Sequence, residues 1–167
     1  MFKLWGKIEM HQMLKEHRLF KECTDQELGE IDNICQKITF KENEIIFKAK
    51  GSAKYLYLIS EGAVELLFEV KYYNASQNIT LDRKTKGDVF GWSALTKPNI
   101  YTLSARAAQN SDLLRINEKD INELCAKNDH LGYILMKNIS EIIGERFELI
   151  QKILIYEVQQ NLKDKEQ

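Results

Sequence analysis

The residues best suited to chemistry lie between Gly87 and Ala105, where small hydroxyl side chains and the single proline, Pro98, separate two strand-like runs. Gly91 permits a left-handed turn, and Ser93, Ala94 and Leu95 suit one helical turn whose free N–H groups point into a pocket. Such a turn favours an anion. The Ser93 and Thr102 hydroxyls add donors, whereas Trp92 and Ile100 bring no charge to the stretch. Catalysis on a cupin-like barrel would need histidines and carboxylates clustered on inward strand positions. His11, His17 and His130 all fall outside the predicted strands, so no enzyme is expected.

A second stretch, Gly51-Ser52-Ala53-Lys54-Tyr55-Leu56-Tyr57-Leu58-Ile59-Ser60-Glu61-Gly62-Ala63-Val64-Glu65-Leu66, narrows the reading. Together with Lys86 to Ala105 it resembles the cyclic-nucleotide-binding domain of the Crp/Fnr regulator superfamily, and the resemblance runs from about Leu19 to the C-terminal helix. It implies a mainly β fold with flanking helices: a double-stranded β-helix, or jelly-roll, barrel with N-terminal helices and a long C-terminal helix. In that family an element similar to Phe90-Gly91 through Ala105 is the phosphate-binding cassette, and Gly51 and Gly62 would bound hairpins. The cassette candidates are therefore Gly91, Trp92, Ser93, Ala94, Leu95, Asn99, Ile100, Tyr101 and Thr102. The family pattern is approximately F-G-E-L-A-L, several residues, then R-[AS]-A-T, in which the Glu holds the ribose hydroxyl and the Arg neutralises the cyclic phosphate. Here Trp92 occupies the Glu position, Ser93 follows, and the Arg position falls on Asn99 or Ile100. The cassette is thus degenerate. No tightly held cofactor is expected, and cAMP, cGMP or another anion would bind only weakly through backbone N–H groups and hydroxyls.

The elements that must position this stretch can be read in order. Residues 1–36 suggest N-terminal helices, 37–116 the barrel, and 117–167 a short helix followed by a long one. Phe2, Leu4, Trp5 and Ile8 suit a packed N-terminal helix better than a membrane surface. His11 and His17 are expected at the surface. Thr24 with Glu27 three positions on is a capping-box start, and Leu28, Ile31 and Ile34 continue one apolar face. From Ile38 the period shortens to that of strands. Tyr55–Ile59 and Val64–Val70 are expected to pair as a hairpin, Asn74–Asn78 to form a hairpin tip with Tyr72 and Tyr73 half-buried beside it, and Tyr101–Ala107 to form a strand.

Beyond Asp129 a proline-free amphipathic helix carries two apolar stripes, Ile139-Ile142-Leu149-Ile153 and Ile143-Phe147-Ile150-Leu154. Two stripes require two partners. In the resembled family this helix packs on its own barrel and on a twofold mate, so a homodimer through Leu135, Ile139, Ile142, Ile143, Phe147, Ile150, Ile153 and Leu154 is expected. The family's transcription factors continue into a winged helix-turn-helix, for which the residues up to Gln167 leave no length, and the 24 basic against 25 acidic side chains signal no nucleic-acid face. Three separated cysteines, no secretory signal and no spanning apolar run fit a reduced, cytoplasmic chain. The expected function is a non-enzymatic, stand-alone sensor that signals through the long helix to a partner protein. The competing reading is a dimeric scaffold that has lost nucleotide binding.

Overall fold

The computed structural model describes residues 7–73 and 75–164. The expectations for Phe2, Leu4 and Trp5, for the Ile8 side chain and for Asn74 lie outside the described residues. Helices α1 (Lys7–Glu16) and α2 (Asp25–Ile34) lead into strands β1 (Cys35–Phe40), β2 (Ile45–Phe47), β3 (Tyr55–Glu61), β4 (Ala63–Tyr72), β5 (Ala75–Thr85), β6 (Val89–Phe90), β7 (Ser104–Ala107) and β8 (Ser111–Asn117). Helices α3 (Glu118–Lys127) and α4 (Asp129–Asp164) follow. The strands form two antiparallel four-stranded sheets, ordered β1-β8-β3-β6 and β2-β7-β4-β5, facing each other as a jelly roll.

The apolar run of β3 is explained by burial on both of its faces. Tyr57 and Ile59 point between the sheets, where they meet Val64, Leu66, Phe90, Leu103 and Leu113. Leu56 and Leu58 point outward into a second core built from Leu14, Leu19, Phe20, Leu28, Ile31, Ile121, Leu131, Leu135 and Ile139 of the helical layer. The helices are capped as their sequences suggest. The Thr24 N–H donates to Glu27 Oε2 at 2.8 Å and the Glu27 N–H to Thr24 Oγ1 at 3.3 Å. Asn117 Oδ1 accepts from the Lys119 N–H, and Asn128 Oδ1 accepts from the Leu131 N–H at the start of α4. Asn128 and His130 also bond to Glu27 Oε1, tying α2 to the α3–α4 junction. Burial pushes the Glu27 carboxyl up, but the hydrogen bonds from Thr24, His130 and Asn128 outweigh it and hold it at about 2.

Four local expectations are corrected. Strands β3 and β4 do not form a hairpin: β3 pairs with β8 and β6, and β4 with β5 and β7, so the chain changes sheet at Gly62. That corner has φ 97°, and a Cβ there would run into Ser111 Oγ and, at 2.7 Å, Asn110 O. The β4–β5 hairpin is tighter than expected, with Tyr72 opposite Ala75, and Tyr72 and Tyr73 are exposed and meet edge to face at 4.4 Å. Only Ser104–Ala107 of the stretch after the cassette is a strand. His17 is buried, because it closes the turn between α1 and α2: its Nδ1 accepts from the Leu19 N–H and its Nε2 donates to Asp88 O at 3.2 Å.

Helix α4 runs for 36 residues, about 54 Å. Leu131, Ile134, Leu135, Ile139 and Ile142 are buried in the chain's own core. Leu135, Ile139 and Ile142 therefore leave the set available to a partner, since the outer face of β3 and β8 needs them as cover. Ile143 is half-buried, while Phe147, Ile150, Ile153 and Leu154 are exposed, as are Tyr133 and Met136.

Two consequences can be measured. Gly62→Ala combines a left-handed backbone with a steric clash and is expected to lower the unfolding free energy by about 2 kcal/mol or more in a urea titration. Burial also pushes the His17 imidazole down to about 4 from 6.5, only partly opposed by Asp88. The unfolded state takes up the proton first as pH falls, so stability present at pH 7 is lost progressively between about 6.5 and 4. Between pH 7 and 5 the loss from this residue is about 2 kcal/mol, and His17→Gln should flatten that part of the profile.

Candidate functional site

The cassette corner is built around Gly91, whose φ is 75° and where a Cβ would lie 3.0 Å from Tyr55 O and 3.2 Å from Tyr57 Cδ2. Only glycine lets β6 turn this sharply against β3. A 3-10 turn, Trp92–Leu95, follows, with the Ala94 N–H donating to Gly91 O at 3.0 Å. Ala94 is fully buried beneath it, and Leu95 packs on the helical layer. Asn99 Nδ2 reaches back to Ala94 O at 2.7 Å, bracing the turn. Ile100 is exposed and pairs through its backbone with Ser52. The loop before β3 clamps this return: the Ala53 N–H donates to Asn99 O and the Tyr101 N–H to Gly51 O.

The interior behind the turn is aromatic. Tyr101 stacks on Phe47 at 3.7 Å with a 10° tilt, and Tyr57 stacks on Phe90 at 5.1 Å. Tyr101 Oη donates to Tyr55 O at 2.8 Å and accepts from the Tyr55 N–H at 3.1 Å, which satisfies the phenol where it is buried. Burial pushes both Tyr57 and Tyr101 above the ordinary phenol value, so they stay neutral.

Between this aromatic layer and α4 lies a cavity of about 10 Å³, room for about one water molecule. Gly91, Trp92, Ser93, Tyr101 and Thr102 line it, whereas Ala94, Leu95, Asn99 and Ile100 do not. Phe47, Leu66, Leu103 and Arg146 complete it and were not singled out from the sequence. The Arg146 guanidinium lies 5.5 Å from the Trp92 ring centroid. Its nearest carboxylate oxygen, Asp82 Oδ2, is 4.0 Å away and already holds Lys84 Nζ at 2.9 Å. Burial pushes Arg146 below its ordinary value, with Asp82 opposing, yet it stays charged at any physiological pH. One signal in the sequence could have found it: Arg146 interrupts the barrel-facing stripe between Ile142 and Leu149, where apolar residues otherwise recur. Arg106 cannot serve the cavity, because on β7 it alternates with the inward Ala105 and Ala107 and binds Glu65 Oε2 at 2.7 Å.

The sequence profile of the cyclic nucleotide-binding domain matches residues 37–128. The anaerobic regulatory protein of Bacillus subtilis is 25% identical over 127 residues, 75% of this chain, which spans about half (52%) of that relative's length. A solved structure of a Geobacter metallireducens protein assigned to cyclic nucleotide binding is 32% identical, with a TM-score of 0.68 over 81% of this chain and 96% of that one. The sensor domain of the transcriptional regulator DNR from Pseudomonas aeruginosa, at 19% identity, shares the fold with a TM-score of 0.69 over 85% of this chain and 93% of its own. Profile, relatives and barrel agree, and the chain belongs to the cyclic nucleotide-binding domain family.

Proposed function

We propose that this domain is a non-enzymatic regulatory sensor, a cytoplasmic homodimer that reports occupancy of a degenerate cassette to a partner protein through α4. The observation that carries the reading is the division of labour along that helix. One stripe is buried on the barrel through Ile142 and reaches Arg146 beside the cassette, while the other, half-buried at Ile143 and exposed at Phe147, Ile150 and Leu154, leaves room for a mate. Tyr133 and Met136 extend the open stripe toward the N-terminus at the three- and four-residue spacing of a two-helix seam. No helix among the described residues is long and apolar enough to cross a membrane.

A cyclic phosphate entering this site would exchange water for donors, yet Trp92 and Asn99 or Ile100 stand where the family pattern has its charged pair, Lys97 is exposed, and the free space holds about one water. Losing a buried guanidinium–phosphate contact costs about 2–3 kcal/mol, roughly a hundredfold in affinity. Calorimetry with cAMP and cGMP is therefore expected to show no binding at micromolar concentration, and a micromolar dissociation constant would refute the degenerate-cassette reading. Trp92→Glu with Asn99→Arg should raise the affinity if the Gly91 turn still accepts a phosphate. The competing scaffold reading rests on the aromatic filling of the interior by Phe47 and Tyr101, and it predicts that no small ligand binds.

Sedimentation should show a dimer at micromolar concentration. Ile150→Glu places an unpartnered charge in the seam, costs several kcal/mol of association, and should yield a folded monomer. A wild-type monomer would remove the second half of the proposal.

A further inference from the structure

Among the described residues Arg146 is the one cation that lines the cassette cavity, and its charge is poorly matched. Its side chain is 16% exposed, and the only carboxylate beside it, Asp82, is held closer by Lys84. Among the described residues no hydrogen bond to the Arg146 guanidinium is formed. Neighbouring Glu145 does not relieve it, because that carboxylate is engaged at both oxygens by Arg18, at 2.6 and 2.8 Å. The largely buried group of Lys84, Asp82 and Arg146 therefore carries one net positive charge, and its Arg146 end lines the cavity beside the Trp92 ring.

A partly desolvated guanidinium whose N–H groups bond to no protein atom among the described residues is suited to a bidentate oxyanion. Ser93 and Thr102, the hydroxyl residues of the turn and its return, line the same cavity; Ser93 is buried and Thr102 is exposed. A two-pronged guanidinium and two hydroxyls present four donors. A tetrahedral phosphate directs oxygens at the fork and at the hydroxyls from different sides, whereas a carboxylate offers only two oxygens in one plane.

We propose that Arg146 is the anion-binding residue of this domain, receiving a phosphate group between its guanidinium and the Ser93 and Thr102 hydroxyls, with the cation supplied by α4 and not by the cassette. The inference rests on the sensor reading and specifies its ligand class and its coupling. Because the free space holds about one water, entry of phosphate must shift Arg146 relative to Trp92, and that motion is transmitted directly to the helix that carries the open seam.

The test uses the full chain with Trp5→Phe, so that Trp92 is the sole indole. Sodium phosphate is titrated against sodium chloride of equal ionic strength, with acetate, cAMP and cGMP as parallel ligands, and binding is read by Trp92 fluorescence and by calorimetry. A saturable response to phosphate is expected. It should weaken at least tenfold in Arg146→Gln and severalfold in Arg146→Lys, which keeps the charge but not the fork. Thr102→Val, at the open rim, should weaken it severalfold and decides the matter together with Arg146→Lys if Arg146→Gln does not fold. Phosphate binding unchanged in these variants overturns the role of Arg146 and leaves the sensor reading standing. Binding of acetate or a cyclic nucleotide without phosphate binding does the same. No response to any ligand overturns both.

Discussion

A strand that is apolar on both faces must be covered on both, and β3 imposes that demand on the whole molecule. Its inward residues, Tyr57 and Ile59, require the second sheet, and its outward residues, Leu56 and Leu58, require the helices. Leu14, Leu19, Leu28, Ile121, Leu131, Leu135 and Ile139 answer the outward demand and are all completely or almost completely buried. Burying a leucine or isoleucine of this kind contributes roughly 1.5–3 kcal/mol each, so the helical layer is integral to the barrel's stability and not an appendage to it. The start of α4 is fixed by that layer, and the position of Arg146 two turns further on follows from it.

The cassette inherits its geometry from the same strand. Gly91 lies close to the Tyr55 carbonyl and the Tyr57 ring, so the turn that carries Trp92 and Ser93 is held against β3 from one side and by Asn99 from the other. Within that turn Trp92 and Ser93 carry no charge. Trp92 faces a guanidinium delivered by α4, and Arg146 lines the cavity beside it. His17, bonded to Asp88 just before β6, ties the N-terminal helices to the same corner.

Much of this was legible from local sequence. The Thr24–Glu27 capping box, the apolar run of β3, the glycine-bounded turn at Gly91 and the periodicity of α4 are all signals within a few residues of one another, and each corresponds to an element of the structure. The family resemblance and the existence of two helical stripes were likewise legible in the sequence alone.

What only the tertiary structure decided were relations between distant residues. Adjacent strands read naturally as a hairpin, yet β3 and β4 separate into different sheets, β3 pairing with the distant β8 and β4 with the distant β7 as well as with its own hairpin partner β5. A histidine in a polar helix reads as a surface group until the turn after it folds over and places Asp88 within reach. Two stripes on a helix are symmetric in sequence, and it is the outer face of β3 that assigns Ile139 and Ile142 inward and leaves Phe147 and Ile150 open. Arg146 reads as an interruption of an apolar pattern, and becomes a site residue only because the barrel brings Trp92 beneath it from 54 positions earlier in the chain.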